Sequence, residues 1–122
     1  MPVPTAVRTR LKGFLPVDAE IRYVFPATWN DSATCYVVVT DTSVVVVANR
    51  RFRKKRPREV WRVFPRNTRI GPVDTHLVPT FELGGREFTV DDEYVPVINA
   101  ADAELSPDVL PPDPLWGWGE QP

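Results

Sequence analysis

A mainly β chain ending in one C-terminal helix is the fold class this sequence predicts, and three observations predict it. Val-rich segments of strand length recur with short polar turns between them, above all Tyr36-Val37-Val38-Val39 and Val44-Val45-Val46-Val47-Ala48 around Asp41-Thr42-Ser43. The pair Gly84-Gly85 separates two further apolar segments and suits a two-residue hairpin turn. Apolar residues at three- and four-residue spacing gather only near the end, at Tyr94, Val97, Ile98, Ala101 and Leu105.

In order, the expected strands cover residues 21–29, 33–40, 44–48, 60–64, 68–73, 78–83 and 86–90. The first is rich in aromatic and β-branched residues, and its Pro26 marks an edge or a bend. Asn30-Asp31-Ser32 supplies the turn into the second. The terminal helix is bounded by Asp91, Asp92 and Glu93, which favour the positive end of a helix dipole, and by Pro107 beyond its last turn. Residues 1–12, with Pro2 and Pro4, read as a flexible N-terminal arm. Residues 13–105 form the single domain. Residues 106–122 read as an extended Pro- and Trp-rich tail, because Pro107, Pro111, Pro112 and Pro114 cannot continue a helix.

At 122 residues the chain is long enough for one domain with a real core. The single cysteine, Cys35, excludes an internal disulfide framework, and no stretch approaches the ~20 apolar residues that span a bilayer. The start Met1-Pro2-Val3-Pro4 has no apolar leader region, so a cytoplasmic protein is the expectation.

The net charge of -1 hides a strong separation. Arg50, Arg51, Arg53, Lys54, Lys55, Arg56 and Arg58 are interrupted only by Phe52 and Pro57. From residue 91 onward the charges are Asp91, Asp92, Glu93, Asp102, Glu104, Asp108, Asp113 and Glu120, with no Lys or Arg. A cationic run between two strands is held by the fold, so it presents a positive surface to an anionic partner.

The hairpin Val37-Val38-Val39-Thr40-Asp41-Thr42-Ser43-Val44-Val45-Val46 resembles the second hairpin of bacterial pleckstrin-homology-like (PH-like) and GRAM-type domains. Gly13-Phe14-Leu15-Pro16 followed by Glu20 is similar to their lead-in, with Val17-Asp18-Ala19 in place of the usual short Gly link. Leu83-Gly84-Gly85-Arg86-Glu87-Phe88 looks like their last hairpin. The resemblance spans residues 13–105. It implies a partly open β-barrel of about seven antiparallel strands in two sheets, one end plugged by the helix. It also implies binding of lipid headgroups, peptides or proteins, and no catalysis. The loops at 29–32, 50–58 and 84–86 would surround the ligand, although the basic signature of the eukaryotic first hairpin is replaced here by Trp-Asn-Asp-Ser.

The expected anion- or partner-binding residues are Arg50, Arg51, Arg53, Lys54, Lys55, Arg56 and Arg58. Trp29, Phe52, Trp116 and Trp118 are the interface aromatics, and Trp61 is a core residue. No catalytic group, metal or cofactor is expected. His76 is the only histidine and has no Ser or Cys beside it in sequence. The expected function is a non-enzymatic binding or adaptor module whose partner is an acidic protein or an anionic membrane, the latter giving a location peripheral to the membrane. Two alternatives stay open: a nucleic-acid-binding accessory protein, and an assembly subunit pairing its basic loop with the acidic C-terminal segment of a neighbour.

Overall fold

A computed structural model describes residues 3–29, 33–49 and 57–105. Its elements are α1 (Thr5–Lys12), β1 (Ile21–Trp29), β2 (Ala33–Thr40), β3 (Ser43–Asn49), β4 (Pro57–Pro65), β5 (Thr80–Leu83), β6 (Arg86–Thr89) and α2 (Val95–Ala103), with a 3-10 turn at Asp92–Tyr94 leading into α2. Among the described residues there is one six-stranded sheet, order β4-β3-β2-β1-β6-β5, and every pairing in it is antiparallel. The sheet is a half-barrel, curled until β4 meets the β5–β6 turn across its concave side. There Arg62 Nη1 donates to the Gly84 carbonyl at 3.3 Å, and Trp61 meets Phe88 edge-on at 6.1 Å.

The unbroken valine runs are explained by burial on both faces of the sheet. Phe25, Ala27, Cys35, Val37, Val39, Val44 and Val46 line the concave face with Phe81, Leu83 and Phe88, and Ile98 and Ala101 of α2 close over them. Val24, Tyr36, Val38, Val45 and Val47 point the other way, onto Val3 and Leu11. The β2–β3 turn is fixed by buried Thr40, whose Oγ1 accepts from the backbone N–H of Ser43 at 2.9 Å and of Thr42 at 3.2 Å. Gly84 and Gly85 take φ of +62° and +80°, so the expected tight turn needs their freedom.

Three expectations change. Residues 5–12 are a helix rather than an arm. Pro4 precedes the first turn, where its missing N–H costs nothing, and Leu11 is fully buried on the convex face. Residues 68–73 form no strand. The backbone N–H groups of Ile70 and Gly71 donate instead to the Asp102 carboxylate, at 2.9 and 2.8 Å. Among the described residues, six strands in one sheet therefore stand where about seven in two were expected. Pro26 lies in an inner strand, but β6 pairs with β1 only at Thr28 and Trp29, so no ladder runs past Pro26 on that side.

Candidate functional site

The register places three connections at one end of the half-barrel, here called the upper end. They follow Trp29, Asn49 and Leu83, and the chain re-enters at Ala33, Pro57 and Arg86. Arg86 opens β6, and its guanidinium lies over two indole rings, 4.0 Å from the Trp29 centroid and 4.3 Å from that of Trp61. Arg62 stands over the other rings of the same surface, 5.6 Å from Trp61 and 5.0 Å from Phe64. The result is a ladder of alternating cations and π faces drawn from β1, β4 and β6. Each such contact contributes ~0.5–2 kcal/mol, more as it is desolvated.

Local sequence explains the arrangement. The ladder between β3 and β4 slips between Val46 and Val47, leaving Trp61 as an extra residue between Val60 and Arg62. A bulge of this kind lets two consecutive side chains serve one face. Trp61 and Arg62 both use it, Trp61 packing against the core and Arg62 lying on its ring. A second slip, between Ala48 and Asn49, together with Pro57 and Pro65 at its ends, keeps edge strand β4 from offering a regular ladder to another chain.

The stacked arginines at this end have no acid beside them: among the described residues neither Arg86 nor Arg62 makes an ion pair. Arg58 reaches Glu59 only at 4.0 Å, with both side chains more than 60% exposed (62% and 64%). The lower end is the opposite. Glu104 accepts from Arg22 Nε at 3.0 Å, from Arg66 Nη2 at 3.4 Å and from the Tyr23 hydroxyl. Hydrogen bonds from Arg22 first and Tyr23 second hold its carboxyl down at about 2. Asp102 faces Arg69 at 3.8 Å while holding the 70–71 backbone.

Of the residues singled out in the sequence, Arg58 is an exposed residue of β4 and Trp29 is the half-buried end of β1. Arg50, Arg51, Phe52, Arg53, Lys54, Lys55, Arg56, Trp116 and Trp118 lie outside the described residues. Trp61 is not simply core: it is partly exposed and carries Arg86 on its ring. Arg62 was missing from the sequence-based set, and Arg86 entered it only as the last residue of the 84–86 loop, not as a named binding residue. The one signal pointing to Arg86 was its position directly after the Gly84-Gly85 turn. Cys35 is buried, which pushes its thiol up to about 12 and makes it a core residue, not a nucleophile. No helix among the described residues is long and apolar enough to cross a membrane.

Comparison with known proteins finds no matching family model, no matching curated protein and no matching solved structure.

Proposed function

We propose that the chain is a non-enzymatic binding module of the PH-like type, a partly open barrel that engages an anionic surface with its upper end. One observation carries the reading. The described arginines on its aromatic rings, Arg62 and Arg86, have no described acid beside them and Arg58 is well exposed, while Arg22, Arg66 and Arg69 of the lower end face Glu104 and Asp102. The run Arg50, Arg51, Arg53, Lys54, Lys55 and Arg56 lies in sequence between β3 and β4, whose facing ends belong to that end. Each cation near an anionic surface adds ~1 kcal/mol, falling off within a Debye length. The PH-like fold is supported by the sheet order and by α2 packing over the open concave face. A cytoplasmic location follows from the same reading.

The test compares three anionic probes in low and high salt: an acidic polypeptide, vesicles containing phosphatidylserine, and a generic DNA duplex, with light scattering for self-association. The reading predicts salt-sensitive binding of the polypeptide or the vesicles that is lost when Arg53, Lys54, Lys55 and Arg56 are changed to Gln. Binding confined to the duplex would move the protein to the nucleic-acid class. Salt-sensitive self-association without any probe would make it an assembly subunit.

A further inference from the structure

The ladder at the upper end has a property that a plain basic patch lacks. The Arg86 guanidinium lies against two rings at once, 4.0 Å from the Trp29 centroid and 4.3 Å from that of Trp61. A guanidinium favours lying flat on an aromatic face, so two rings restrict how the group can turn and favour approach at its N–H edge. The N–H donors of a guanidinium all lie in that plane, in a fork that matches two oxygens side by side.

No described acid satisfies this fork. Glu87 is the next residue along β6, so its side chain leaves the opposite face of the sheet. Glu59 is turned to Arg58. Arg62 shares the Trp61 ring with Arg86, so two like charges meet one indole with no carboxylate between them. Arg62 donates to the Gly84 carbonyl and so helps close the seam, whereas Arg86 makes no such hydrogen bond among the described residues.

Resting on the binding-module reading above, we propose that Arg86 is the specificity-determining residue of the upper end and that its ligand is a carboxylate side chain of an acidic protein segment. Geometry favours carboxylate over phosphate. A carboxylate is planar and forms two parallel hydrogen bonds in the guanidinium plane, so the pair extends edge-on between the two indoles. A phosphate can accept the same fork, but its remaining oxygens project out of the plane toward the negative faces of the rings. Arg62, held at the neighbouring position, supplies the long-range attraction that draws an acidic segment in.

The experiment uses the full chain carrying Trp116→Phe and Trp118→Phe, so that fluorescence reports Trp29 and Trp61 alone. The probe is a synthetic peptide of repeated Glu-Gly pairs, with inorganic phosphate and phosphatidylserine vesicles as the other arms. Peptide is expected to change the fluorescence saturably, and Arg86→Lys, which keeps the charge and the ring contacts but loses the fork, is expected to weaken binding about tenfold or more. Phosphate at the same concentration should not compete. A circular-dichroism melt confirms that Arg86→Lys is folded, and Arg62→Gln should weaken binding less and mainly at low salt. Peptide binding unchanged in Arg86→Lys overturns the inference and leaves the anionic-surface reading standing. Equal competition by phosphate, or Arg86-dependent binding of the vesicles, overturns the carboxylate assignment. If none of the three probes binds the unmodified protein, both readings fall. Loss of binding in Arg86→Lys with no effect of neutralising the 53–56 charges retains the inference and removes the basic segment from the site.

Discussion

Arginine does two different jobs at the two ends of this half-barrel. At the lower end Arg22, Arg66 and Arg69 meet Glu104 and Asp102, which tie α2 to β1, to the end of β4 and to the 70–71 backbone. At the upper end Arg86 and Arg62 meet Trp29, Trp61 and Phe64 and no described carboxylate. Three arginines at the lower end share two acids, which offset much of their charge. Arg86, stacked on two indoles, keeps its charge and its in-plane donors, while Arg62 gives one of its donors to the Gly84 carbonyl. The lower end ties α2 to the sheet, and the upper end is the one proposed to meet a partner.

The largest effect is expected from breaking the lower end. Asp102→Ala leaves the Ile70 and Gly71 N–H groups without their acceptor and Arg69 without its acid, and should cost ~2–4 kcal/mol in denaturant unfolding. A loss within experimental error would mean that the 68–73 segment is not held as described.

Next is Gly84→Ala at the upper end. The left-handed φ of +62° disfavours any Cβ, and one built there would stand 2.7 Å from Phe64 Cζ. Stability should fall by ~1–3 kcal/mol, with a changed near-ultraviolet signal from the tryptophans stacked beside the turn. Gly85→Ala, which meets nothing within 4 Å, should lose less because only the backbone term remains.

Glu104→Gln sharpens the comparison through pH. The folded carboxyl is held at about 2, below its ordinary 4.5, so its stabilising contribution is present above the unfolded value and is lost as pH falls toward about 2. The gap in midpoint between wild type and Glu104→Gln should therefore be widest near neutrality, narrow below pH 4.5 and close near pH 2. A constant gap across that range would show that the carboxylate charge contributes nothing.

The smallest effect belongs to Arg58→Gln, since its contact with Glu59 is long and both side chains are well exposed. Stability should change by less than ~0.5 kcal/mol, while binding of an acidic polypeptide weakens at low salt.

Much of the frame was legible in the sequence. β1 and β2 fall where their β-branched and aromatic runs begin and end, and α2 buries Ile98 and Ala101, with Tyr94 of the preceding 3-10 turn, as their spacing requires. What escaped did so for physical reasons. Pro2 and Pro4 read as breakers of regular structure, but a proline ahead of a first turn is compatible with a helix, and what secures α1 is burial of Leu11 on a sheet that sequence alone cannot place. Residues 68–73 carry strand-forming side chains, yet an acceptor 31 and 32 positions away takes the N–H groups that a ladder would use. The upper end was legible only as charge density. Its geometry depends on Trp29, Trp61 and Arg86 meeting across three strands, and on a slip in register at Trp61 that has no signature in composition.

The most direct test of the difference between the two ends is a two-dimensional proton–nitrogen NMR titration of the full chain with the Glu-Gly peptide. The indole N–H signals of Trp29 and Trp61 and the side-chain Nε–H of Arg86 should move together and saturate, while those of Arg22 and Arg66 stay in place. Shifts centred on Arg22, Arg66 and α2, or none at Arg86, would contradict the division of labour between the two ends.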